Sequence, residues 1–178
     1  SVWWANQLCN VDNTRAHREH TGREILQQVD GPIDGWVASV GTGGTLLGVA
    51  QALGVGNPGM KVHGVVPVDD PRLEWVRTRA IHRVLDRLGV PDMRFLMEDL
   101  LEGGVMDAEV TVQDADARDM ADRLCREEGL YCGMSSGANV HAAIEMARTM
   151  GAGSRIVTVL VDRRDRYISE HPDEHYVV

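Results

Sequence analysis

The sequence predicts an α/β fold, a doubly wound and mostly parallel sheet with helices on both faces. Apolar runs of strand type alternate with segments of helical spacing along almost all of the 178 residues. At two places, "SVGTGGTLLGV" and "YCGMSSGANVHAA", a short apolar run enters a knot of glycine and hydroxyl residues that opens a helical segment. A chain of this length is sufficient for one hydrophobic core. Residues 1–178 therefore read as one α/β domain, with 162–178 as a C-terminal tail and no internal repeat.

The elements follow in order. "HTGREILQQVDG" offers a capping box from Thr21 to Glu24 and a short helix closed near Gly31. "GWVASV" is a buried-type strand, "TLLGVAQALG" a helix ending at Gly54, and "NPG" at 57–59 a turn. "KVHGVVPV" is a second strand. "PRLEWVRTRAIHRVLDRLG" places Pro71 at a helix start, with apolar residues at Leu73, Val76, Ile81, Val84 and Leu88. Residues 89–104 have the least regular pattern and are expected to form a mobile excursion. "DAEVTV" is a third strand, and a helix runs from an Asp114 cap to Gly129 with an acidic, solvated face. "LYCGM" as a strand, a helix from about Ser136 to Met150, and "RIVTVLV" as a last strand complete the series.

The first knot, Gly41, Thr42, Gly43, Gly44 and Thr45, has the grammar of an anion cradle. Glycine lets backbone N–H groups approach a ligand, and the following helix start adds unpaired donors and a positive dipole end. At this knot GxxxxGK[ST] is absent and GxGxxG fails, because Leu46 stands where its third glycine would be, so a single phosphate is the expected ligand; the alternative is a tight turn whose glycines serve packing. In the second knot Ser136 reads as a helix N-cap, whereas Ser135 is placed to face the same crevice, beyond the carboxyl ends of the strands.

Composition narrows the function classes. A formal net charge of −9 argues against nucleic-acid binding. No apolar run approaches the ~18 residues of a membrane span, and the N-terminus lacks a signal-peptide pattern. Cys9, Cys125 and Cys132 form an odd set without CxxC spacing, which reads as free thiols in a reducing cytoplasm, Cys132 as a small buried hydrophobe. His17 with His20, and His171 with His175, have spacings a metal would accept, but no third ligand accompanies either pair; surface or capping roles are expected, and no metal. His63 and His82 suggest no partner. Trp3 and Trp4 are expected either to fold onto this domain or to meet a further domain or second chain. Seventeen of the eighteen Lys and Arg are arginine; Lys61 stands alone.

Five segments, "NVDNTRAHREHTGREI", "SVGTGGTLLGV", "KVHGVVPVDDP", "CREEGLYCGMSSGANVHAA" and "IVTVLVDRRDRY", together resemble the cysteine synthase and cystathionine β-synthase family, fold type II pyridoxal-phosphate enzymes. The likeness covers most of residues 6–167 and is weakest at 78–104. It implies pyridoxal 5′-phosphate as cofactor, its phosphate cradled by Gly41 to Thr45 and its ring nitrogen hydrogen-bonded by Ser135. A serine there leaves that nitrogen largely unprotonated, which suits β-elimination and β-replacement. The family's cofactor-binding lysine and substrate-carboxylate loop lie in a region preceding the part matched here, so no catalytic residue is assigned within this chain. Lys61 cannot substitute: it starts its strand while the knot ends its own, which separates them by roughly 20 Å. "RLEWVRTRAIHRVL" lacks the family's glycine-containing active-site loop, and "DRRDRY" replaces a Ser-Gly pair.

The resemblance implies part of a cysteine synthase-like enzyme of sulfur amino-acid metabolism, acting on a serine- or cysteine-type amino acid. The chain by itself is expected to be inactive, its partners being a lysine-bearing segment or second chain and, as is common in the family, a second copy in a homodimer. A non-catalytic phosphate-ligand-binding regulatory module and a scaffold domain with purely structural knots are the alternatives.

Overall fold

The computed structural model describes residues 3–68, 83, 86–87 and 94–167. Helix α1 (Val11–Ala16) starts at Asn10, whose side chain accepts the Asp12 N–H, and runs without a break through a π-turn (His17–Thr21) into α2 (Gly22–Gln28). Thr21 is therefore inside a helical stretch, at φ −53°, rather than at its start. The expected capping box does not form, because the helix begins about three turns earlier than the Thr21–Glu24 signal suggested.

Strands β1 (Gly35–Ser39), β2 (Lys61–Pro67), β3 (Ala108–Val112) and β4 (Ile156–Thr158) form one sheet in the order β3-β2-β1-β4. All its pairings are parallel. The chain leaves β1 toward β2 and β3 on one side, then returns to place β4 on the other. That reversal is a topological switch point, which in open α/β sheets opens a crevice at the carboxyl ends of the strands.

Helices cover both faces, as expected of a doubly wound sheet. On one face α3 (Gly44–Gly54) buries Leu46, Leu47, Val49 and Leu53 against Trp36, Ala38, Val40 and Val62. Each such side chain withdrawn from water contributes about 1.5–3 kcal/mol. Trp36, fully buried, donates its indole N–H to the Leu46 carbonyl at 3.1 Å. The α1–α2 helix lies across α3 at two points of close backbone approach. A Cβ on Gly48 would sit 2.3 Å from the Thr14 carbonyl, and one on Gly22 would sit 2.4 Å from the Ala52 Cβ. On the other face α5 (Asp114–Glu128) and α6 (Met134–Met150) close over Val37, Val65 and Val112.

Four further expectations change. Part of the expected mobile excursion is helix α4 (Leu96–Glu102), whose Leu96, Met97 and Leu100 are buried and whose Glu98 carboxylate accepts the Phe95 N–H at 2.7 Å. "LYCGM" is not a strand: Cys132 makes one antiparallel bridge to Arg163, and the chain turns directly into α6 at Met134. "RIVTVLV" contributes only three residues to the sheet. Helix α5 starts at Asp114 as expected, but Gln113 occupies the cap position, without a side-chain cap bond. The Pro71 helix falls outside the described residues except at Arg83, Asp86 and Arg87, as do His82, His171 and His175.

Candidate functional site

Strand β1 is prolonged by the Val40 N–H, which donates to the Val65 carbonyl at 2.9 Å; the first knot follows at the carboxyl end of the sheet. Gly43 has φ +90° and ψ −19°, a left-handed conformation that glycine adopts without steric cost. Its missing side chain also admits α4, since a Cβ there would lie 3.4 Å from the backbone of Leu96 and Met97. Gly44 is needed for a second reason: a Cβ would come within 2.3 Å of Asn13 Oδ1. Gly41 is exposed, and a Cβ built there meets nothing within 4 Å.

The two threonines of the knot are tied to the first helix. Thr42 Oγ1 accepts the Gly44 N–H at 3.2 Å and Asn13 Nδ2 at 3.0 Å. Thr45 Oγ1 lies 3.0 Å from His17 Nε2, and His17 Nδ1 lies 3.1 Å from Thr21 Oγ1. Burial pushes the His17 imidazole below its ordinary pKa, favouring the neutral ring. Asn13 and His17 stand one helical turn apart, so both meet the knot. His17, half-buried at the junction of α1 and the π-turn, thus has both ring nitrogens on threonine hydroxyls. Neither Asn13 nor the contact of His17 was foreseen, although both lie in "NVDNTRAH", where a four-residue spacing of polar groups was the available signal.

At the second knot the structure separates two adjacent serines. Ser136 is fully buried inside α6 and accepts the Val161 N–H at 2.9 Å, so it fastens the segment after β4 rather than capping the helix. Ser135 is exposed and lines a pocket of about 170 Å³ with Ser39, Val66, Pro67, Val112 and Met134. Ser39 is two residues before Gly41. The two knots therefore share the carboxyl edge of the sheet, one at the end of β1 and the other at the start of α6.

Lys61 lies at the other edge. It pairs in register with Gly35 at the start of β1, and its Nζ donates to Asp107 Oδ1 at 2.7 Å. Burial would raise the Asp107 pKa, but the hydrogen bonds from Lys61 and the Val62 N–H outweigh it and hold the carboxyl below its ordinary value. His63, half-buried on the same strand, is pushed down by burial, with the Asp107 carboxylate opposing that shift and Lys61 adding to it. Cys9, Cys125 and Cys132 are free thiols; burial raises the pKa of Cys132, which disfavours its thiolate. Among the described residues no group of three His, Cys, Asp or Glu is placed to hold a metal. Nor is any helix among them long and apolar enough to cross a membrane.

A second cavity, of about 510 Å³, lies between α1, α3 and α4 and is lined by Val11, Arg15, Arg18, Leu47 and Leu96. Its guanidinium groups are engaged, Arg15 with Asp12 at 3.1 Å and Arg18 with Glu19 at 3.6 Å. Trp3 and Trp4 are 84% and 69% exposed and do not fold onto the described part of the chain.

The profile of a family described as "Pyridoxal-phosphate dependent enzyme" matches residues 1–162. Cysteine synthase B of Pseudomonas aeruginosa is 34% identical over 164 residues, covering 92% of this chain and 50% of that protein. A cysteine synthase of Staphylococcus aureus is 36% identical over 164 residues, covering 92% and 51%. Among solved structures, an O-acetylserine dependent cystathionine β-synthase from Helicobacter pylori superposes with a TM-score of 0.74 at 26% identity, over 93% of this chain and 52% of that one. A hydrogen sulfide-producing enzyme from Fusobacterium nucleatum gives 0.74 at 33% identity, over 93% and 48%. The chain spans about half the length of the curated relatives it matches.

Proposed function

The chain belongs to the pyridoxal-phosphate dependent enzyme family, with pyridoxal 5′-phosphate as its cofactor, and from that premise we propose that it forms the phosphate-binding part of a cysteine synthase-like enzyme. The reaction is β-replacement or β-elimination on a serine- or cysteine-type amino acid. The observation that carries this reading is the placing of both small-residue knots at one edge of the sheet, beside its switch point.

The residues present fit the group. Gly41 leaves open space where a side chain would stand, Gly43 takes a backbone angle reserved for glycine, and α3 begins directly behind them. Backbone N–H groups of the Gly41 to Thr45 knot other than that of Gly44, which Thr42 Oγ1 accepts, and the hydroxyls of Thr42 and Thr45 would hold the phosphate dianion at the positive end of α3. Ser135, a neutral hydroxyl on the pocket wall, meets the ring nitrogen. Unlike a carboxylate, it gives that nitrogen no charge partner with which to retain a proton.

When bound, the cofactor supplies an electron sink that lets an amino acid lose its α-proton and its β-substituent. This chain's part is binding and orientation. The knot anchors one end of the group, Ser135 meets the other, and the apolar wall of Val66, Pro67 and Val112 limits water between them. The base that removes the α-proton is a lysine outside residues 1–178, because Lys61 is committed to Asp107 at the opposite edge. Trp3 and Trp4 are the exposed apolar surface that meets the segment bearing that lysine. The working enzyme is a cytoplasmic homodimer, and residues 1–178 alone are inactive.

The test follows the α-proton. The full-length protein, loaded with cofactor, is expected to exchange the Cα hydrogen of a serine- or cysteine-type amino acid in deuterated water and to release its β-substituent. Absence of both, with cofactor bound, contradicts the proposal.

A further inference from the structure

We propose that Asn13 is a positioning residue of the phosphate site, one that commits the Thr42 hydroxyl to act as a donor. This rests on the reading of residues 41–45 as the phosphate cradle and deepens it.

Asn13 Nδ2 carries two hydrogens, and both are used: one reaches the Gln7 carbonyl at 2.9 Å and the other Thr42 Oγ1 at 3.0 Å. A flipped amide would set its oxygen against the Gln7 carbonyl, acceptor facing acceptor, so the partners fix its orientation. Thr42 Oγ1 therefore accepts from Asn13 and also from the Gly44 N–H at 3.2 Å. A hydroxyl oxygen has two lone pairs and one hydrogen. With both lone pairs engaged inside the knot, the remaining O–H is directed away from Asn13 and from the Gly44 amide.

A phosphate dianion needs donors. A freely rotating threonine would spend part of its time offering a lone pair, and would lose that freedom on binding. Asn13 removes the choice in advance, which is preorganisation in its simplest form. The contact with Gly44 has the same result: Asn13 occupies the place of a Cβ at that position, so the amide and the glycine define one geometry of the turn.

The test is a thermodynamic cycle in the full-length protein, read as the dissociation constant for pyridoxal 5′-phosphate and the ³¹P shift of its bound phosphate. Asn13→Ala is expected to weaken the cofactor about threefold to tenfold, the range of one neutral hydrogen bond. Asn13→Asp, of equal size but acceptor only, turns the Thr42 hydrogen inward and adds a like charge. It is expected to weaken binding by on the order of tenfold beyond Asn13→Ala and to move the ³¹P signal. In a Thr42→Val background Asn13→Ala should have no further effect; if Asn13→Asp fails to fold, this coupling decides. Equal losses for the Ala and Asp variants, or an Asn13→Ala effect that persists in Thr42→Val, would overturn the inference. Gly41→Glu separates this from the parent reading, because it places a carboxylate in open space beside the phosphate at no packing cost. If Gly41→Glu weakens the cofactor while both Asn13 variants bind normally, only the role of Asn13 is lost. If Gly41→Glu binds normally, the cradle reading fails and the inference with it.

Discussion

Nε2 of His17 lies 3.0 Å from Oγ1 of Thr45, and the same ring reaches Thr21 Oγ1 through Nδ1 at 3.1 Å. The imidazole thus joins the π-turn of the first helix to the first turn of α3, the helix behind the first glycine knot. Burial lowers its pKa, so the folded protein binds a proton there less readily than the unfolded chain does. Stability contributed by the neutral ring is complete above the ordinary value of 6.5 and is lost as pH falls from there toward the folded value. His63 shifts in the same direction, so the wild type is compared with His17→Gln. Thermal melts between about pH 8 and about pH 5 are expected to show a shallower acid-side loss in the variant. Identical pH slopes would show that His17 does not titrate in this way.

The adjacent serines should separate by assay. Ser136→Ala leaves the Val161 N–H without its partner and is expected to cost about 1–2 kcal/mol in denaturant unfolding. Ser135→Ala, exposed on the pocket wall, should stay within about 0.5 kcal/mol of wild type and instead weaken the cofactor. The reverse pattern would mean that the two roles are exchanged.

Three glycine-to-alanine changes should rank by what the added methyl meets. Gly137→Ala puts a Cβ 2.0 Å from the Ala117 carbonyl, where α5 and α6 touch through backbone, and is expected to cost about 3 kcal/mol or more. Gly44→Ala displaces the Asn13 side chain and should cost about 1–3 kcal/mol. Gly41→Ala meets open space and should fall within about 0.5 kcal/mol of wild type. Equilibrium unfolding of the three variants tests the order.

These contrasts also mark what the sequence made legible. The strand–knot–helix unit at 35–54 could be read directly, because Trp36 to Val40 form a short apolar run and glycine has few other uses at such a junction. The parallel sheet followed from the alternation of elements. Helix α4 did not, because four consecutive buried residues, Phe95 to Glu98 with Leu96 and Met97 between them, break the periodicity on which a helical reading rests. Thr21 misled because a second, equally local cap, Asn10 on the Asp12 N–H, starts the helix earlier and leaves Thr21 inside it with helical angles. Asn13 and His17 were missed because their partners lie 29 and 28 residues away. Only the packing of α1 on α3 through Gly48 brings them together.

Lys61 provides a fourth expectation. Its bond to Asp107 joins side chains that are 56% and 35% exposed, so Lys61→Met should cost about 1 kcal/mol or less. Borohydride reduction of the cofactor-loaded, full-length protein should leave Lys61 unmodified in a peptide mass map, with the pyridoxyl group on a lysine outside residues 1–178. A pyridoxyl mass on Lys61 would contradict its placement at the far edge of the sheet.

The most direct measurement is a crystal structure of the full-length protein with pyridoxal 5′-phosphate bound. The phosphate is expected within hydrogen-bond distance of backbone N–H groups of the 41–45 knot other than that of Gly44, and of the hydroxyls of Thr42 and Thr45, with the ring nitrogen at Ser135. A phosphate held elsewhere, such as the Arg15 and Arg18 cavity between α1, α3 and α4, would contradict the cradle.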